Sequence, residues 1–173
     1  MNGTGTSSLL VLGGARSGKS RYAQARAEAL PGELVFVATA QAFDDEMRDR
    51  IARHRADRDG RWSTVEVPLD LAGCIAREAR EERVLLVDCL TLWTSNILLA
   101  ERDIAAETGQ LEAAIAAASG TIILVANEVG LGIVPDNALA RRFRDAAGSI
   151  NQAVARACAG VVFIAAGLPM HLK

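Results

Sequence analysis

Aromatic residues are scarce, at 4% of 173, although half of the residues are hydrophobic. Such a core is built mainly from Ala, Leu, Val and Ile, which suits layered helix and sheet. Cysteine is limited to Cys74, Cys89 and Cys158, which are isolated and odd in number. With no C-x-x-C spacing, they read as reduced, buried thiols of a cytoplasmic protein. Charge of one sign is also lacking: the net charge is -2, so no overall basic field recruits nucleic acid or an anionic membrane. No apolar run approaches the length that spans a bilayer, which excludes stable membrane insertion. Residues 1–7 are polar and uncharged, unlike a signal peptide, and read as a disordered leader. Repeats, low-complexity tracts and linkers are missing, so residues 1–173 are expected to form one domain.

What is present is organised around Gly13-Gly14-Ala15-Arg16-Ser17-Gly18-Lys19-Ser20. The apolar run Leu9-Leu10-Val11-Leu12 precedes it, and residues 21–30, rich in helix formers, follow it. Strand, glycine-rich turn and helix are the context that makes Gly-x-x-x-x-Gly-Lys-Ser a phosphate-binding P-loop. Gly13 and Gly18 are needed where a Cβ would clash or φ must be positive. Successive N–H groups and the helix N-terminus attract the phosphates. Lys19 reaches the β and γ phosphates, and the Ser20 hydroxyl suits Mg²⁺. The motif specifies a nucleotide, but not whether the protein is a kinase, transferase, switch or motor.

Further strands are expected at 34–38, 62–67, 83–88, 121–126 and 161–165. Helices are expected at 44–57, 69–82, 89–100, 105–118 and from Asn137 to residue 159. Thr39 follows a buried strand at the edge where such sheets bind ligands, and serves equally as a turn or capping residue. Arg83 to Asp88 has the form of an apolar strand ending in a Mg²⁺-orienting carboxylate; the other reading of Asp88 is a helix cap.

His54 shares an apolar stripe with Met47 and Ile51, flanked by Arg48, Arg50, Arg53, Arg55 and Arg58. It reads either as a half-buried hydrogen-bonded histidine or as a neutral imidazole nucleophile among phosphate-binding arginines. Glu66 is either a solvent-facing strand residue or a ligand to sugar hydroxyls. The loop from Asn127 through Pro135 carries apolar residues that suit a wall for a large acceptor or a subunit contact. Its Asn127-Glu128 pair is not the guanine reader of switch GTPases. His171, without companions, reads as structural or solvent-exposed, in a short tail that begins at Gly167.

Several of these segments together resemble one family. They are the P-loop, Ala38-Thr39-Ala40-Gln41, Asp45-Glu46-Met47, Arg50-Ile51 with His54-Arg55, and Asn127 through Pro135. Residues 139–145, Gly148 and Asn151-Gln152 match as well. The family is the bifunctional adenosylcobinamide kinase/adenosylcobinamide-phosphate guanylyltransferases (CobU/CobP) of cobalamin biosynthesis, and the resemblance runs from Leu9 through practically the whole chain.

It implies a RecA-like α/β P-loop fold with a mainly parallel sheet flanked by helices. It implies γ-phosphate transfer from ATP or GTP to the aminopropanol hydroxyl of adenosylcobinamide. GMP then passes from GTP, through a histidine that matches His54, to adenosylcobinamide phosphate. Nucleotide contacts map onto Gly13 to Ser20, Ala38, Thr39, Ala40, Arg55, Ala56, Asp57, Arg58, Glu66 and Asp88. Mg²⁺ and a homo-oligomeric assembly are also implied. Two readings compete: a plain P-loop small-molecule kinase, and a RecA-like ATPase module that does conformational work. The small size and missing basic stripe argue against the second.

Overall fold

The computed structural model describes residues 7–41, 49, 52, 56 and 58–173. The helix expected at 44–57, with His54, Arg55 and Asp57, lies largely outside the described residues; Asp49, Ala52 and Ala56 are helical and exposed.

Strands are β1 (Ser7–Gly13), β2 (Glu33–Ala38), β3 (Trp62–Glu66), β4 (Arg83–Asp88), β5 (Thr121–Asn127), β6 (Gly160–Ala165) and β7 (Leu168–His171). Helices are α1 (Lys19–Glu28), α2 (Leu71–Glu78), α3 (Leu90–Leu99), α4 (Ile104–Ala117) and α5 (Ala138–Ala157). The seven strands form one sheet in the order β3-β2-β4-β5-β1-β6-β7. All neighbours pair in parallel except β6 and β7. The expected α/β class with a mainly parallel sheet is therefore observed.

β1, β4 and β5 are near-continuous apolar runs because both of their faces are covered. On one face, Leu10, Val87, Leu124, Trp93, Ile115 and Ile150 belong to the larger core under α2 to α5. On the other, Val11, Val125 and Leu86 meet Ala23 and Ala27 of α1. Trp93 is fully buried, and its indole N–H donates to Leu69 O at 2.8 Å.

Several boundaries differ from expectation. Ser7, assigned to the leader, begins β1. α2 spans Leu71–Glu78 rather than 69–82, because Asp70 caps it by accepting from the Gly73 N–H at 3.1 Å. Asn137 does cap the last helix, through the Ala140 N–H, but that helix ends at Ala157. The tail expected from Gly167 is instead β7, antiparallel to β6. Ala166 and Gly167 both have positive φ, 50° and 80°, as a two-residue primed hairpin turn requires.

Candidate functional site

Because α1 begins at Lys19, residues 14–18 form the connection from β1 to this helix. Arg16 and Gly18 take φ of 55° and 94°, which curls the backbone around a concavity. Gly18 is the N-cap of α1 and offers no side-chain cap, so the first-turn N–H groups stay available to an anion. A Cβ on Gly13 would stand 2.5 Å from Ser17 Oγ and 2.8 Å from Ile164 O, so this position has no room for one. Ser17 Oγ is buried without a hydrogen-bond partner, as fits a loop built around a polar guest. Lys19 Nζ donates to Gly14 O at 3.2 Å, folded back over the loop.

The β6–β7 hairpin buttresses this loop. Gly167 N–H donates to Ser17 O at 2.8 Å, and a Cβ on Gly18 would lie 3.3 Å from Gly167 Cα. Sequence reasoning missed this contact. The signal was the Ala166-Gly167 pair directly after an apolar strand.

At the same carboxyl edge, Ala38, Glu66 and Asp88 stand in one register row across β3, β2 and β4. The sheet thus brings these three together, with β5 between them and the P-loop strand. Glu66, on the outermost strand, is four strand positions from β1, about 19 Å at the usual interstrand spacing. That distance sets Glu66 apart from the phosphate loop.

Thr39 is fully buried. Its hydroxyl donates to Cys89 O at 2.7 Å and accepts from Cys89 N–H at 2.9 Å. Asn96 Nδ2 donates to Thr39 O at 2.7 Å and to Pro68 O at 2.9 Å. Neither the turn nor the capping role describes Thr39: its hydroxyl ties the end of β2 to that of β4 and so sets the position of Asp88. Thr39→Val keeps the shape but leaves the buried Cys89 groups unpaired. It is expected to destabilise the fold by about 1–3 kcal/mol, read as a lower urea midpoint at unchanged m-value.

Asp88 does not cap the next helix. That cap is Cys89, whose Sγ accepts from Leu92 N–H at 3.5 Å. Burial first, then the neighbouring Asp88 charge, raises the Cys89 thiol pKa, so this residue remains a neutral thiol beside the acid. The donor set fits Mg²⁺. Ser20 and Asp88 offer hard oxygens, and no group of three or more His, Cys, Asp or Glu that could hold a metal occurs among the described residues. A magnesium ion bound with a nucleotide asks for no more protein than this, since phosphate oxygens and water complete its shell.

Arg58 lies with its guanidinium carbon 3.6 Å from the centre of the Phe36 ring, and Phe36 meets Trp62 edge-on at 6.3 Å. Ala56 is exposed, Ala40 is half-buried just beyond β2, and His171 is exposed in β7. Past β5, Leu131, Ile133 and Val134 are 84%, 97% and 60% exposed, so the apolar side chains of this loop are not used by the described core.

A glycine-rich loop between the first strand of a parallel sheet and the following helix, with an acid closing a nearby strand, defines a P-loop nucleotide-binding α/β protein. A solved structure from Pyrococcus horikoshii OT3 has a similar fold, with a TM-score of 0.54 and 10% identity over 96% of this chain and 86% of that one. The family model described as cobinamide kinase / cobinamide phosphate guanyltransferase (CobU) matches residues 9–172, and the chain belongs to that family. The bifunctional adenosylcobalamin biosynthesis protein CobP of Pseudomonas aeruginosa is 50% identical, over 95% of this chain and 96% of its own length. The proteins named CobU in Salmonella typhimurium and Escherichia coli are 38% and 39% identical, over 95% of this chain and 99% of their own.

Proposed function

We propose that this protein phosphorylates adenosylcobinamide with ATP or GTP, and then transfers GMP from GTP through His54 to adenosylcobinamide phosphate. The observation that carries this reading is a family match that includes the phosphate loop and runs almost the length of the chain.

The chemistry divides among the residues. The N–H groups of the loop and the Lys19 ammonium hold the phosphate charge. Ser20 and Asp88 hold Mg²⁺, which when bound neutralises and orients phosphate oxygens. In the guanylyl step, a neutral His54 nitrogen forms a bond to the α-phosphorus of GTP while the bond to pyrophosphate breaks. An oxygen of adenosylcobinamide phosphate then attacks the same phosphorus, and the phosphorus–nitrogen bond breaks to regenerate His54. Arg53 and Arg55, next to His54 in the sequence, supply positive charge of the kind a phosphate reaction uses.

The exposed Leu131, Ile133 and Val134 support a homo-oligomer, and a monomer mass by light scattering would remove that part of the reading. No helix among the described residues is long and apolar enough to cross a membrane, and together with nucleoside triphosphate substrates this supports a cytoplasmic site of action.

The test incubates the protein with adenosylcobinamide, GTP and Mg²⁺ and follows the corrinoid by mass. The expected result is a gain of phosphate followed by a gain of GMP, both stopped by a chelator. A product that stops at the phosphate would leave a plain small-molecule kinase. Nucleotide hydrolysis with an unchanged corrinoid would leave an ATPase module.

A further inference from the structure

Phosphorylating a hydroxyl creates a proton that has to leave, and Lys19, Ser20 and Asp88 are occupied with phosphate and metal. The strand order brings one further acidic residue beside the loop. β5 lies between β1 and β4, and Asn127 pairs in register with Gly13. Glu128 follows directly, and its N–H donates to Gly13 O at 3.1 Å, which fastens it to the first residue of the phosphate loop. Its Oε1 accepts from the Gly130 N–H at 2.6 Å, which holds the side chain in place while a carboxylate keeps further acceptor capacity.

Glu128 also stands at one end of an open groove of about 740 Å³ that runs along α5 beside β1 and β6. Leu12, Leu131 and Leu172 give this groove apolar walls, and Asn151 and Gln152 add amides. Asn151 Nδ2 donates to Asn127 O at 3.2 Å, joining α5 to the end of β5. Leu12, which directly precedes Gly13, and Glu128 both line it, so this end of the groove adjoins the carboxyl ends of β1 and β5. Gly148 of α5 lines it, and a Cβ there would have no atom within 4 Å.

We propose that Glu128 is the general base of the kinase step, and that the groove holds the acceptor, a corrinoid whose alcohol arm reaches the loop. This rests on the function proposed above. The hydroxyl oxygen forms a bond to the γ-phosphorus while the bond to the β–γ bridging oxygen breaks. The nucleoside diphosphate leaves with that electron pair, and the hydroxyl proton moves to the Glu128 carboxylate and then to water.

Glu128→Gln keeps an oxygen for the Gly130 N–H but cannot take a proton. Phosphorylation of adenosylcobinamide is expected to fall about 100-fold or more. Labelling by GTP, and guanylyl transfer to adenosylcobinamide phosphate supplied ready-made, should stay within about threefold of wild type. Gly148→Leu should raise KM for adenosylcobinamide about tenfold and leave KM for GTP unchanged. A Glu128→Gln enzyme that phosphorylates normally, or that loses both reactions together, overturns the role of Glu128. A Gly148→Leu protein with normal KM and a changed mass in light scattering gives the groove to a second copy of the chain instead. Wild-type protein that leaves adenosylcobinamide unphosphorylated overturns the functional reading itself, an outcome distinct from an active wild type with an indifferent variant.

Discussion

His54→Ala is expected to abolish covalent attachment of GMP while the kinase step continues within about threefold. The asymmetry follows from the chemistry. In the proposed mechanism both reactions use the phosphate loop, but only guanylyl transfer uses a side-chain nucleophile that takes up the α-phosphorus and then releases it to the acceptor. The measurement uses GTP labelled at the α-phosphate, followed by denaturation and counting of label on the chain. A phosphorus–nitrogen bond is acid-labile and survives alkali, which separates it from serine or carboxylate esters. Guanylyl transfer should fall by at least about 10⁴, since losing a covalent nucleophile removes the route rather than weakening it. Label of the same stability on the His54→Ala protein would move the nucleophile elsewhere. His171, exposed in β7, would be the remaining histidine.

Lys19→Ala is expected to impair both reactions together, by about 10²–10³ in kcat/KM, the scale of losing one preorganised charge at phosphate. Its Nζ bonds to Gly14 O at 3.2 Å, so the loop geometry already brings this ammonium over the concavity. The fold should survive, because Lys19 opens α1 without entering either core. A thermal midpoint within a few degrees of wild type would establish that. Lys19→Arg should rescue little, since a planar fork does not replace a point charge in a loop shaped around one. If Lys19→Ala lost only one activity, the two reactions would not share this loop, and the single-site mechanism would be wrong.

The strand–loop–helix of the phosphate loop and the strand that ends in Asp88 were legible because each is a local pattern, a few residues whose spacing carries the geometry. Thr39 was legible as to place but not as to role. Its hydroxyl serves Cys89, fifty residues away, and only the pairing of β2 with β4 brings the two together. β7 was missed because it is only four residues long and holds Pro169, while the evidence for it lies in the turn before it. Glu128 was read as part of a loop wall, because a strand order that inserts β5 between β1 and β4 is not a property of any short segment. His54, Arg55 and Asp57 lie outside the described residues, so their assignment rests on motif and family rather than geometry.

The place of β1 in the sheet has a consequence for synthesis on the ribosome. Both of its neighbours, β5 and β6, come more than a hundred residues later in the chain. The loop is also propped by Gly167. The phosphate-binding sequence is therefore translated early but acquires its walls only after almost everything else has emerged. A nascent chain stalled anywhere before residue 121 should hold no nucleotide despite carrying the whole motif. Nucleotide binding is thus expected only once the stretch from β5 to Gly167 has joined β1.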